Sequence, residues 1–98
     1  MLETFTIETF QPKLGELFHV VIGDQRLPMK LTDVRPWGRG PAEEGARVPF
    51  LLVFHTVPQG VIPQGTYTMQ TDGMEPFPLF LVPISPDERG MRYEAVFA

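Results

Sequence analysis

The chain has 98 residues, a formal net charge of −4 and a hydrophobic fraction of 43%, which points to one soluble globular domain with material for a core rather than a disordered chain. It has no cysteine, so disulfides, thiolate metal sites and cysteine nucleophiles are excluded. Twelve acidic residues outnumber eight scattered basic ones, so no nucleic-acid surface is expected.

The N-terminus, Met1-Leu2-Glu3-Thr4-Phe5-Thr6, has neither a basic n-region nor an apolar h-region. No apolar run approaches the roughly 20 residues of a membrane span. A cytoplasmic location is therefore the expectation. Eleven prolines and nine glycines leave few places for a helix. The one candidate is a turn or two over Ile7 to Leu14, with Thr6 as its cap and Gly15 as its end. Pro12 falls where an interior donor would be needed. Phe10 and Leu14, four apart, could plug one end of a β core. Glu3 to Ile7 could instead supply a seventh strand.

From Glu16 the period becomes two. Phe18, Val20 and Ile22 alternate with Leu17, His19 and Val21, and Gly23-Asp24-Gln25 then reads as a hairpin with Gly23 at positive φ. A second strand starts at Arg26, with Leu27, Met29 and Leu31 on one face; Pro28 puts it at an edge or beside a bulge. Arg35 to Arg47 has no period and reads as a long surface loop holding Trp37, the only tryptophan. Phe50 to Phe54 is apolar on both faces, as a covered strand is. Thr66 to Gln70 alternates, Asp72-Gly73 turns, Phe77 to Ile84 is a strand limited by Pro78 and Pro83, and Met91 to Phe97 closes the series with Tyr93 and Phe97 on one face. The fold expected is all-β: a small antiparallel meander barrel or sandwich of six to seven strands with one short helical turn near the N-terminus, one domain over residues 1–98.

Catalytic constellations are thin. His19 and His55 are the only imidazoles, too few for a zinc site without recruited carboxylates. Ser85, a histidine and Asp87 form a triad on paper only, because Ser85 sits between Ile84 and Pro86 with no oxyanion signature. Glu43-Glu44 and Asp87-Glu88 read as solvated pairs in loops. Gly38-Arg39-Gly40 is followed by no phosphate-loop lysine. No enzyme activity, metal or cofactor is expected. Two features resist a purely structural reading. Arg35, Trp37 and Arg39 combine cations and an aromatic ring on one loop, the composition of protein–protein hot spots. An incompletely closed sheet would also offer an unpaired edge strand for self-association or a protein partner.

Phe54-His55, Pro63-Gln64-Gly65-Thr66-Tyr67, Phe80-Leu81-Val82-Pro83 and Tyr93-Glu94-Ala95-Val96-Phe97 form a series of signposts, preceded by Phe10 and Gly15-Glu16-Leu17-Phe18. On these residues the chain resembles a family of short bacterial all-β proteins of about a hundred residues, a domain of unknown function. The resemblance implies no catalytic residues. It implies a small stand-alone protein, some relatives being encoded near phage-tail-collar-like proteins. Read physically, Gly65 allows positive φ or close approach, Tyr67 and Tyr93 bury rings while bonding their hydroxyls, and Pro83 ends a strand. The function expected is a non-enzymatic structural or protein-interaction module, an accessory of a phage-tail-like assembly. The alternative is a small-ligand-binding β-barrel with an aromatic-lined cavity, with Arg26 or Arg35 at its mouth.

Overall fold

Alternating apolar positions and short turns become six strands once a common core sets the phase of each alternation. The computed structural model describes residues 4–37, 48–56, 62–87 and 90–97. A helical turn, α1 (Ile7–Phe10), runs into a 3-10 turn (Gln11–Lys13) and is followed by β1 (Leu17–Ile22), β2 (Gln25–Pro36), β3 (Phe50–Thr56), β4 (Gly65–Thr71), β5 (Met74–Asp87) and β6 (Gly90–Phe97). The strands close into a barrel in the order β1-β2-β3-β6-β5-β4, every neighbouring pair antiparallel. The all-β expectation holds, and of the two architectures foreseen it is the barrel. It is not one continuous meander. Two three-stranded meanders, β1–β2–β3 and β4–β5–β6, join along the β1–β4 and β3–β6 seams.

β2 and β5 are long because each serves two sheets. β2 pairs with β1 from Gln25 to Lys30 and with β3 from Lys30 to Pro36. β5 pairs with β4 up to Leu81 and with β6 from Val82 onward. Register shifts leave Thr32 and Ile84 as extra residues near these changeovers, and such bulges bend a strand from one sheet into the next. One sheet is therefore the first half of β2, then β1, β4 and the first half of β5. The other is the second half of β2, then β3, β6 and the second half of β5. Both prolines of the first meander's strands, Pro28 and Pro36, lie in β2, and β5 carries Pro76, Pro78, Pro83 and Pro86. Proline cannot donate to a ladder. It sits here only in the two strands whose halves each have one neighbour among the described residues.

The hairpin loops need glycine. Gly23 (φ 57) and Gly73 (φ 84) lie in the two-residue loops between Ile22 and Gln25 and between Thr71 and Met74, where a side chain would be strained. At the other end of the chain's first turn, Gly15 takes φ 86 and its N–H donates to the Leu31 carbonyl at 2.8 Å. Gly15 thus follows Leu14, the residue that caps the 3-10 turn.

Phenylalanine fills the interior. Phe18, Phe50, Phe54, Phe77 and Phe97 point inward from the strands, and Phe10 enters from α1. Phe50 and Phe97, register partners across β3 and β6, stack at 4.5 Å with planes 4° apart. Phe5 meets Phe10 at 5.4 Å and Phe77 at 5.2 Å, both edge-to-face, the geometry that aligns ring edges with π faces. Val20, Met29, Leu31, Leu52, Met69, Leu79, Leu81, Tyr93 and Ala95 complete the core cluster.

Several local expectations change. α1 is held by the Thr6 N–H on Thr9 Oγ1 (3.0 Å) and the Thr9 N–H on the Thr6 carbonyl (3.0 Å), so Thr6 is the cap. The helical path ends before Leu14, which is exposed; only Phe10 acts as a plug. Residues 4–7 form no seventh strand, because Phe5 turns inward onto the Phe cluster instead of pairing. Gly65 has no positive φ, and a Cβ there would meet the Tyr67 ring at an ordinary 3.7 Å. Pro83 lies within β5 at its bulge rather than at a strand end.

Phe10→Ala should cost about 3–5 kcal/mol, the range for a large ring removed from a packed core, whereas Leu14→Ala should change stability by less than about 0.5 kcal/mol. Urea unfolding of the two variants checks whether a single side chain plugs this end of the barrel.

Candidate functional site

Closure changes where a partner can meet this protein. The expected unpaired edge strand is replaced by a continuous ladder around the barrel, and the half-edges left at the corners carry the prolines of β2 and β5. Main-chain pairing with another strand is therefore poorly served. What remains are the outward faces of the two sheets.

The outer face of the β2–β3–β6–β5 sheet is graded by the register. Across one row stand Arg35, Leu51 and Val96, and across the next Asp33, Val53, Glu94 and Val82. A third row holds Lys30, His55, Arg92 and Ser85. Phe80 lies two residues from Val82 on β5, as Val96 lies two residues from Glu94 on β6, so both flank the place where β5 leaves β6. Phe80 is 50% exposed and Val96 44%. Of eight phenylalanines, Phe80 alone points out. At the same end Trp37 prolongs β2: its N–H donates to the Pro49 carbonyl at 2.9 Å and its indole is 47% exposed. The face thus runs from an end where Trp37, Leu51 and Val96 stand beside the Arg35–Asp33 pair, with Phe80 at the adjoining corner where β5 pairs with β4, to a hydroxyl- and cation-bearing end at Lys30, His55, Arg92 and Ser85.

Of the three loop residues singled out in the sequence, two join this face. Arg35 belongs to β2 and pairs with Asp33 at 3.0 Å, both side chains exposed, so it is a surface ion pair of small energetic weight. Trp37 follows it on the same side of the strand. Its exposed indole does not fold back over the barrel as a lid. Arg39 lies outside the described residues, as do Glu43, Glu44 and Glu88. Phe80 and Val96 were missed because a Phe in an apolar run reads as core. The available signal was phase: Phe77, Leu79 and Leu81 are buried, so Phe80 must face the other way.

At the polar end, the Arg92 guanidinium donates to the Ser85 hydroxyl (2.5 Å) and carbonyl (3.4 Å). Ser85 therefore accepts from a cation, the opposite of an activated nucleophile, which needs a base to take its proton. The Thr32 hydroxyl at the β2 bulge lies 3.2 Å from the Val53 carbonyl and 2.8 Å from His55 Nδ1. A hydroxyl has one proton, so when it donates to the carbonyl, Nδ1–H donates to it. That assigns His55 a place in the bulge. Tyr93, fully buried, accepts the Ile62 N–H at 3.0 Å, and the Tyr67 hydroxyl donates to the Pro63 carbonyl at 2.6 Å. Both tyrosines thereby tie down the chain entering β4.

The outer face of the other sheet carries a groove of about 470 Å³ between β1, β2 and β4, with Glu16, His19, Arg26, Gln70 and Asp72 in its wall. Arg26 Nη1 donates to Gln70 Oε1 at 3.1 Å. Among the described residues, no three His, Asp or Glu side chains come together as a metal site, and no helix is long and apolar enough to cross a membrane.

A six-stranded antiparallel barrel with a ring-filled interior and two differently decorated outer faces is the class of protein these observations define. The chain belongs to the family described as a domain of unknown function, DUF6916, whose model matches residues 5–97. Comparison with curated proteins and with solved structures gives no match.

Because Phe80 and Val96 are exposed, Phe80→Ser and Val96→Thr should each shift stability by no more than about 0.5 kcal/mol. Thermal unfolding followed by circular dichroism checks this. A loss of several degrees in either variant would mean that the side chain belongs to the packing of the barrel.

Proposed function

We propose that this protein is a non-enzymatic interaction module whose docking surface is the apolar end of the outer β2–β3–β6–β5 face. The observation that carries the reading is Phe80: a large ring held outward by strand phase at the corner between the two sheets, opposite Thr66 of β4 and two residues before Val82 joins the face that bears Val96, Leu51 and Trp37. Aromatic anchors beside an arginine are what interface hot spots use, and here Arg35 stands in the row of Leu51 and Val96. The occupant is a folded protein surface presenting its own apolar side chains, since the prolines of β2 and β5 disfavour an added strand. The resemblance supplies a setting, an accessory of a phage-tail-like assembly, in which a small barrel adds a face to a larger structure.

An internal ligand cavity has less support. The inward positions of the barrel are occupied by rings whose centroids lie 4.5–6.4 Å apart, which is contact distance for aromatic side chains. Catalysis likewise has no activated group to rest on, because Ser85 is held by Arg92 and His55 is engaged with Thr32.

The test is co-purification from the native host with the wild-type chain and with a Phe80→Asp, Val96→Asp variant. The expected result is one partner, retained at high salt because the contact is apolar, and lost in the double variant while the barrel's circular dichroism is unchanged. Retention of that partner by the double variant, or its release by salt alone, would contradict this docking surface.

A further inference from the structure

The groove on the other sheet is a separate object and its chemistry is polarised. Strand register sets its axis. His19 on β1 faces Gln70 on β4, and Arg26, on the neighbouring strand β2, reaches across to the Gln70 amide oxygen. Two residues back along β1, Leu17 lies beside the β4–β5 turn, where its carbonyl accepts the Thr71 hydroxyl at 2.9 Å. Glu16 and Asp72 flank Leu17 at this end. The groove therefore has a guanidinium and an imidazole at its centre and two carboxylates at one end, separated by roughly 7–10 Å at about 3.3 Å of strand per residue.

Each end has unspent capacity. Arg26 is oriented by a neutral amide, and among the described residues it has no carboxylate partner, so donors of its fork remain for a ligand oxygen. His19 makes no hydrogen bond within the described residues. At the acidic end, the Lys13 ammonium donates to the Asp72 backbone carbonyl and stands 3.8 Å from Glu16. It thus leaves the Asp72 carboxylate itself unpaired among the described residues. With the Lys13 ammonium set against two carboxylates, the acidic end keeps one net negative charge, so a bare anion is drawn to Arg26 and repelled by that end, and a bare cation the reverse. A molecule with both charges suits both ends. An α-amino acid is too short, since its ammonium and carboxylate share one carbon. Two or three extended residues span the distance.

We propose that this groove binds a short dipolar polypeptide fragment, its carboxylate on Arg26 and His19 and its ammonium on the Asp72 carboxylate, which Lys13 leaves unpaired among the described residues. The dipole can be supplied by the two termini of a free oligopeptide. It can equally be supplied by an acidic and a basic side chain two residues apart on an extended segment of another protein. The chemistry recognised is the same, and the groove is independent of the apolar docking face: either can fail without the other.

Nitrogen-15 amide shift titrations of the full chain with triglycine, with an end-blocked Glu-Gly-Lys peptide, with acetate and with methylammonium test this directly. Saturable shifts centred on His19, Gln70 and Thr71 are expected with one or both peptides. The peptide that binds identifies the source of the dipole. Affinity should fall at least about tenfold in Arg26→Gln, which removes charge-assisted bonds at an exposed site, and also fall in Asp72→Asn; unchanged thermal unfolding of both variants shows that the barrel is intact. Acetate binding as tightly as the peptides would reduce the groove to a simple anion site and overturn the proposal. So would the absence of saturable shifts at millimolar peptide, shifts centred elsewhere, or affinities indifferent to both substitutions.

Discussion

Everything else in this barrel depends on two strands bending through a corner. β2 and β5 each spend one half in one sheet and the other half in the next, and near each changeover the register gives one residue away, at Thr32 and at Ile84. Without those bulges the two meanders would remain flat three-stranded sheets with long open edges. With them, β1 meets β4 over only three pairs, His19–Gln70, Val20–Met69 and Val21–Thr68, yet the ladder closes. The corners also explain the proline distribution. A strand paired on both sides has no room for a residue that cannot donate, and β1, β3, β4 and β6 contain none.

Closure in turn decides what the side chains can do. Inward positions are committed to a cluster of rings that leaves the interior to packing, and Tyr93 and Tyr67 spend their hydroxyls on holding residues 62 and 63. Among the described strand residues the outward positions are left for recognition, and the two sheets decorate theirs differently. One presents Val96, Leu51 and Trp37 beside the Arg35–Asp33 pair, with Phe80 at the corner between the sheets, and the other presents Arg26 and His19 facing Glu16 and Asp72.

Much of the fold was legible in the sequence, and the limits have physical causes. Strand existence came from period-two alternation in Phe18–Val20 and Thr66–Gln70, and hairpins came from Gly23 and Asp72-Gly73, because these signals are local. Strand length was underread for β2 and β5: Asp33 to Pro36 and Met74 to Pro76 are polar or proline-bearing, and only tertiary pairing holds them extended. The topology was hidden for a related reason, since the β3–β6 and β1–β4 seams join residues far apart in sequence. Arg35 and Trp37 were singled out from composition alone, and the structure puts both, exposed, at the end of β2. Phe80 was not, because its direction is set by the phase of a strand whose inner face had to be known first. The Arg26 groove needed three strands side by side, and no spacing along the chain encodes that.

In a closed barrel the strand edges are paired and the side-chain faces are what is left exposed. Native-state hydrogen exchange across the narrow β1–β4 seam measures this most directly. The ladder-bonded amides within residues 19–21 and 68–70 should exchange only with the global opening of the barrel, at rates matching those in β3 and β6. Exchange there orders of magnitude faster than in β3, with β3 and β6 still protected, would show an open sheet whose edges are available, and would contradict the account.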